Sequence, residues 1–481
     1  MTSPHASPLV VDLDHTLLHT DTLLEQFVGL FFRNPWAALL LLGSLLRGRA
    51  AFKARLSSVH PLDARALPYR EALIAFLTEA RDGGRSIHLV TAADRSVADA
   101  IAQHAGLFDT VEGSDGISNL KGGAKAAYLK SRFPDGFSYA GDSRADLKVW
   151  AEAESIVLAG VARDTAGKAR RLGKPVEAEF HNPDLGFRVW RKALRLHQWA
   201  KNLLVFAPLF LAHKYTDPQA LLLSLTAFVS LGLMASATYL INDLSDLPSD
   251  RLHRTKRFRP LARGDLSIET ALVVVPALML TSIGIALAVS PALLVGLLAY
   301  AAITLGYTFY CKRQALLDVV TLAVLYTLRI GIGTATIQVP YSVWLLTFSL
   351  FFFFSISLAK RYAEIHHLVA RDAPKALAGR GYRTDDAGTV LALGVSSSVA
   401  SVLIVVLYLM EEAFPSNVYA SPHWLWVAPF VLTLWAARIW LIAGRGELDE
   451  DPVAFAIKDR VSWGLGGALA IAFILATAPW R

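Results

Sequence analysis

The chain has 481 residues, 54% of them hydrophobic, and a formal net charge of +7. That is too apolar for a wholly soluble protein, and its single cysteine, Cys311, excludes an intramolecular disulfide and a cysteine-based metal site. The positive charge lies mainly at the edges of apolar segments, which favours lipid headgroups or phosphate esters over nucleic acid as partners. The opening MTSPHASPLVVDLDHT lacks a basic stretch followed by an apolar one, so no cleavable signal peptide is expected.

Pro8–Leu13 (PLVVDL) reads as a buried strand leading into Asp12-Leu13-Asp14-His15-Thr16. Residues 20–70 follow as an insert containing FVGLFFRNPWAALLLLGSLL, flanked by Arg47, Arg49, Lys53 and Arg55. Asn34-Pro35 interrupts it, so two helices are expected, packed on the core or lying on a membrane surface, and not one spanning helix. Residues 71–83 have helical spacing, and Ser86–Val90 is a second strand ending at Thr91. Phe137–Ala140 leads into Gly141-Asp142-Ser143-Arg144-Ala145-Asp146, and Ser155–Ala159 is a further strand. Strands alternating with helices predict a parallel α/β sheet, with ligands beyond the carboxyl ends of its strands. Each of these motifs sits at such an end.

From residue 198 the pattern changes to apolar runs of spanning length. Nine are expected, at about 198–213, 219–241, 270–289, 291–310, 315–334, 341–359, 388–410, 423–444 and 462–479; the first is short and interrupted by Pro208. Basic residues cluster after the even-numbered spans, among them Arg251, Arg254, Lys256, Arg257, Arg259, Arg371, Lys375 and Arg445. By the positive-inside rule the N-terminal region is then cytoplasmic and the C-terminus outside, across a bacterial inner membrane. Trp199, Trp424, Trp426 and Trp480 fit interface belts.

The second span ends in an acidic ladder, Asn242, Asp243, Asp246 and Asp250. On one helix these side chains fall within roughly a quarter-turn arc. Carboxylates at a membrane edge are costly unless they bind a cation or face a polar cavity, so Mg²⁺ and a diphosphate are the expected occupants. In the fifth span, Asp318 and Arg329 lie eleven residues apart and so share a helix face within about 20°. They are candidates for a polar cavity or for a mutual structural role. Lys312 with Arg313 reads equally as a phosphate contact or as a topology signal.

DxDxT, a strand ending in Thr, a lysine in a loop and GDxxxD, in that order, resemble the haloacid dehalogenase superfamily of phosphatases over residues 8–165. That resemblance implies a Rossmann-like α/β domain at 1–182 with a cap at about 20–70. It makes Asp12 the nucleophile and Asp14 the acid and base. Thr91 and a lysine, Lys121 or Lys125 with Lys121 preferred, would hold phosphoryl oxygens. Asp12, Asp14, Asp142 and Asp146 would form the Mg²⁺ site.

NDLSDLPSD and the spans around it resemble the UbiA-type intramembrane prenyltransferases, which implies an all-α nine-helix bundle at 183–481. Where aromatic prenyltransferases carry a second acidic motif, this chain has Lys360-Arg361-Tyr362-Ala363-Glu364. Cations there suit a monophosphate better than a metal-bridged diphosphate. With LRLHQWAKNLLVFAPLF, CKRQALLDVV and LRIGIG, this resembles the decaprenyl-phosphate phosphoribosyltransferase branch. The implied partners are polyprenyl phosphate, 5-phosphoribosyl diphosphate and the bilayer, with a homo-oligomer as a further candidate. Asn242, Asp243, Asp246 and Asp250 would bind Mg²⁺ and the sugar diphosphate. Lys201, Asn202, Lys256, Arg259, Asp318 and Arg329 would line the substrate site, and Lys360 and Arg361, with Lys312, would hold the lipid phosphate. The resemblance implies Mg²⁺ in both domains, with the phosphatase removing the product's 5-phosphate. Rival readings are an aromatic prenyltransferase using polyprenyl diphosphate, and a transporter or sensor with a non-catalytic soluble module.

Overall fold

The computed structural model describes residues 7–115, 120–369, 377, 380–415, 419–448 and 452–477. It resolves into two compact units, residues 1–194 with 239–275, and residues 195–238 with 276–481. Trp480, Arg371 and Lys375 lie outside the described residues.

The first unit is built on a six-stranded sheet of β1 (Leu9–Val11), β2 (Ile87–Asp94), β3 (Thr110–Ser114), β4 (Ser138–Gly141), β5 (Ser155–Ala159) and β6 (Val176–Phe180). Every pairing is parallel and the order is β3-β2-β1-β4-β5-β6. The period-2 alternation of strand side chains divides the apolar residues between two cores. Leu9, Val11, Leu89 and Val157 pack on one face; Val10, Val90, Tyr139, Ile156 and Leu158 pack on the other. Strand order reverses between β1 and β4, which places Asp12 and Asp142 side by side at the carboxyl ends of adjacent strands. The Rossmann-like architecture expected from the strand–helix alternation is therefore present.

The insert breaks at Asn34, as its Asn-Pro pair predicted. Helix Thr22–Arg33 ends there, and the Asn34 side chain caps helix Pro35–Leu42 by accepting from the Ala37 amide. A third helix, Arg49–Val59, completes the cap, and Leu30, Ala38, Leu41, Phe52 and Leu56 form a small core of their own.

Among the described residues, eight helices are long and apolar enough to cross a membrane. They include Pro218–Ser245, Ile268–Val289, Leu317–Thr336, Val343–Val369 and Val427–Gly444. The stretch expected as a first span is different: Leu196–Phe206 is a 3-10 helix followed by a five-residue α-helix, Ala207–Leu211. Pro208 has no amide to donate and sits at the start of that second piece, so the two cannot merge. Trp199 donates to the Ser236 hydroxyl (3.0 Å) within the second unit.

Candidate functional site

Asp12, Asp142 and Asp146 bring their carboxylate oxygens within 4.8 Å of one another, and among the described residues theirs is the group of acidic, His or Cys side chains with that convergence. Their positions follow from the strands. Asp12 closes β1, and its Oδ1 accepts from the Leu13 amide (2.8 Å), leaving Oδ2 for the site. Asp146 lies on the turn after β4 and accepts from the Ser143 amide (2.9 Å), the Ser143 hydroxyl (2.8 Å) and Tyr139 Oη (3.0 Å). Thr16 donates weakly to Asp142 (3.5 Å).

The lysine of the site is Lys125, which corrects the preference for Lys121. Its ammonium is 2.9 Å from Asp12 Oδ2 and donates to Tyr139 Oη at 2.9 Å, with only 2% of the side chain exposed. Lys121 is exposed. The helix Gly123–Arg132 buries Lys125, Ala126 and Leu129, so Lys125 is on its inward face. Lys121 precedes the helix, whose N-cap is Gly122, and spacing alone could not separate the two lysines because positions four apart share a helix face. Were this centre to hydrolyse phosphate esters, Lys125→Ala is expected to lower the rate on the order of 10²-fold or more, with Lys121→Ala within about 3-fold of wild type, measured as released phosphate.

Burial first, then Asp146 and Asp12, pushes Asp142 up to about 8. Asp146 is raised as well, again chiefly by burial. Three crowded carboxylates with one ammonium lack positive charge, and an oxygen-only donor set fits a hard divalent cation. Asp14 stands apart from these three. Its carboxylate accepts from the Thr22 amide (2.8 Å), and burial together with Asp21 raises it to about 7, a suitable value for giving and taking a proton near neutrality. Thr91 is fully buried and its Oγ1 accepts from the Ala93 amide (3.1 Å). Lys53, from the cap, donates to Ala92 O at 2.6 Å, a link between cap and strand end that the sequence did not reveal.

The acidic ladder also belongs to the first unit. It does not lie on one helix: Pro218–Ser245 stops before Asp246, whose φ/ψ of −94°/4° starts the separate helix Leu247–Leu252. The Asp246 and Asp250 amides still bond four residues back, to Asn242 O and Asp246 O, so the ladder keeps its turn across the break. Arg259 joins two rungs, donating to Asp243 Oδ1 at 3.0 Å and to Asp250 Oδ2. Lys256 is 3.8 Å from Asp250 Oδ1. Arg259 and Lys256, expected on substrate phosphates, thus face the carboxylates. Asp250 is 1% exposed, and its Oδ1 has no hydrogen-bond donor among the described residues. The Lys256 ammonium is too far from that oxygen for a hydrogen bond, and a buried carboxylate oxygen so placed leaves room for a closer cation.

Arg251, read as a topology signal, has a different place. It is buried against the cap, 2.6 Å from Glu25 Oε1, and donates to Ala66 O and Ala262 O at 3.0 Å each. His15 also reaches out of the strand-end loop, 3.3 Å from Glu269, which raises the imidazole to about 9. These two pairs fasten the cap and the Asp12 loop to the segment that carries the ladder.

In the second unit the intramembrane charges are paired differently from the sequence reading. Asp318 pairs with Arg361 (Nε–Oδ2 2.7 Å), not with Arg329. Asp318 Oδ1 accepts from the Val319 amide (2.7 Å) and Tyr382 Oη (2.6 Å), while Arg361 also reaches Glu364 at 2.6 Å. Arg361 is 1% exposed and held inside this network by two carboxylates; Lys360 beside it is half-buried. Tyr382 Oη accepts from the Leu316 amide (2.9 Å), bracing Leu316 at φ +64°. Lys312 is in the 3-10 turn just before. Arg329 donates to Asn202 Oδ1 (3.0 Å) and Tyr300 Oη (3.2 Å), and stacks over Tyr300 and Tyr326. Lys201 lies over Tyr326 at 5.6 Å, so Lys201, Asn202 and Arg329 do come together. Tyr300 and Tyr326 escaped the sequence reading, because aromatic residues in apolar spans carry no distinguishing spacing, and Tyr382 escaped it because it lies between two spans.

Eight helices among the described residues that are long and apolar enough to cross a bilayer define a multi-pass membrane protein. The chain belongs to the UbiA prenyltransferase family, whose model matches residues 203–465, and it is accordingly a transferase. It is 41% identical to the uncharacterized protein y4nM of Sinorhizobium fredii over 98% of this chain and 91% of that one. The nodulation protein NoeC of Azorhizobium caulinodans is 31% identical over 60% of this chain and 94% of its own length. The decaprenyl-phosphate phosphoribosyltransferase of Mycobacterium tuberculosis is 33% identical over 56% of this chain and 88% of its own.

Proposed function

We propose that the chain is a polyprenyl-phosphate 5-phosphoribosyltransferase carrying its own haloacid dehalogenase-type phosphatase. The membrane part joins the lipid monophosphate to C1 of 5-phosphoribosyl diphosphate, and diphosphate leaves. The N-terminal part then removes the 5-phosphate of the product. The observation that carries this coupling is that the Asp12–Lys125 centre and the acidic ladder belong to one compact unit, tied by the buried Glu25–Arg251 pair.

In the phosphatase, an Asp12 oxygen attacks phosphorus and the bond to the ribose 5-oxygen breaks, with Asp14 giving that oxygen its proton. Water then attacks the aspartyl phosphate, Asp14 takes the proton back, and Asp12 is restored. Lys125 and Thr91 hold phosphoryl oxygens and offset the repulsion between carboxylate and phosphate. In the transferase, Asn242, Asp243, Asp246 and Asp250 hold the sugar diphosphate, with Lys256 and Arg259 turning from carboxylates to phosphates. Lys201, Asn202 and Arg329 position the acceptor side, and Lys360 with Lys312 holds the lipid phosphate. Mg²⁺, held by Asp12, Asp142 and Asp146 in one centre and by the ladder in the other, would supply charge compensation for the transferred and departing groups.

The N-terminal unit is read as cytoplasmic in a bacterial inner membrane, with the C-terminus outside. This topology needs an odd number of crossings, so residues 196–211 are assigned the ninth beside the eight apolar helices.

Purified protein given polyprenyl phosphate, 5-phosphoribosyl diphosphate and Mg²⁺ is expected to yield polyprenyl-phosphoribose by lipid mass spectrometry. EDTA should stop both steps, and Asp250→Asn should slow transfer on the order of 10²-fold. Product from a prenyl diphosphate and an aromatic acceptor, with none from the sugar diphosphate, would move the reading to an aromatic prenyltransferase.

A further inference from the structure

The cap carries an apolar surface that its own fold leaves uncovered. Along helix Pro35–Leu42 and the 3-10 turn Gly43–Arg47, Ala38 and Leu41 face the cap core. The other large side chains point outward: Trp36 is 76% exposed, Leu40 80% and Leu46 93%, with Leu39 and Leu45 close to half. Such a concentration of exposed apolar side chains on one hairpin marks an interaction surface.

Charge selects the occupant. Between Glu25 and Asp63 the sequence holds no acidic residue, yet it holds Arg33, Arg47, Arg49, Lys53 and Arg55. The four arginines are exposed around the apolar tip. A second copy of this surface would bring like charges together, whereas an anionic leaflet complements both the apolar tip and its basic rim. The segment is too short to span: eight α-helical and five 3-10 residues reach about 22 Å, against about 30 Å of hydrocarbon. A bilayer is also close at hand along the chain. Glu25, on the helix leading into this hairpin, is paired with Arg251, which is six residues past the end of the spanning helix Pro218–Ser245.

We infer that residues 35–47 form an interfacial anchor, inserting Trp36, Leu40 and Leu46 into the acyl–headgroup boundary of an anionic leaflet while Arg33, Arg47, Arg49 and Arg55 meet lipid phosphates. The anchor holds the cap against the membrane, where a lipid-linked substrate arrives. Insertion itself does not depend on the proposed chemistry; only the consequence for catalysis rests on that reading.

The test uses the full chain with Cys311→Ser and a single reporter cysteine, Leu40→Cys or Leu46→Cys, or Ser58→Cys as an exposed control, labelled with an environment-sensitive fluorophore. Reconstitution is into phosphatidylglycerol-containing vesicles with bromine on the acyl chains. Labels at 40 and 46 are expected to shift to the blue and be quenched by the brominated lipid, and the label at 58 to do neither. Arg47→Glu with Arg49→Glu is expected to reduce the quenching, as is replacement of phosphatidylglycerol by phosphatidylcholine. Labels at 40 and 46 as water-exposed as at 58 would overturn the inference. So would protection that grows with protein-to-lipid ratio without lipid quenching, which would indicate a second copy. With the anchor broken by Leu40→Glu and Leu46→Glu, hydrolysis of a water-soluble phosphate ester should persist while turnover of the lipid-linked one falls. Loss of both would overturn the catalytic consequence but leave the quenching result standing.

Discussion

Asp12→Asn is expected to leave phosphoribosyl transfer running while free phosphate release falls on the order of 10⁴-fold, so that the 5-phosphorylated lipid accumulates. The substitution is nearly isosteric, and an asparagine Oδ1 can still accept from the Leu13 amide that Asp12 now engages. The strand-end turn is thereby kept, and the large effect is chemical: an amide has no anionic oxygen to form the aspartyl phosphate. Lys125 loses its counterion but keeps its bond to Tyr139 Oη, and Asp142 and Asp146 keep the site's negative charge. The measurement is paired, inorganic phosphate by colorimetry and the lipid by mass spectrometry. Undiminished phosphate release would remove Asp12 as nucleophile. Wild-type and variant proteins giving the same lipid would remove the coupling between the two halves.

Asp318→Ala is expected to be the most destabilising single change in the membrane part, costing about 3–5 kcal/mol and lowering Tm and the yield of folded protein in detergent. The carboxylate has no exposed surface, and its removal strands Arg361, 1% exposed, with Glu364 alone for company. It also frees Tyr382 Oη and the Val319 amide, and with them the brace on Leu316. Replacing the pair together, Asp318→Leu with Arg361→Met, should recover much of the stability, because a buried ion pair and well-packed apolar groups of similar volume are close in free energy. The double variant then separates two roles. Recovered Tm with retained transfer makes Arg361 a structural residue; recovered Tm with transfer abolished would place Arg361 on the lipid phosphate.

Much of the first unit was legible because its signals are local. A three-residue apolar strand followed by DLDHT, a second ending in Thr91, and a third running into GDSRAD each announce a strand end, and parallel topology gathers such ends on one edge of the sheet. The choice between Lys121 and Lys125 was not legible, since positions four apart share a helix face and only the observed start of the helix at Gly123 leaves Lys121 outside it. The insert's break at Asn34 was equally readable, proline being unable to continue the first helix.

The membrane part was legible as apolar runs but not as pairings. Asp318 and Arg329 share a face of one helix, yet a charge in a span is matched by whatever neighbour the bundle brings within reach. Arg361, from another helix, supplies that match, and Arg329 goes to Asn202 and two tyrosines. The ladder was visible as four polar residues at helical spacing. Neither the break at Asp246 nor the position of Arg259 across Asp243 and Asp250 could be read from that spacing.

The sequence by itself determined the parallel α/β unit, eight of the nine expected spanning segments and the strand-end and ladder carboxylates, because hydrophobic periodicity and turn chemistry act over a few neighbouring residues. Only the tertiary structure decided which lysine meets Asp12, which arginine neutralises Asp318, and that Arg251 is buried against Glu25. Those pairings are set by burial, which makes an unmatched charge costly and so fixes its partner through contacts between residues distant along the chain.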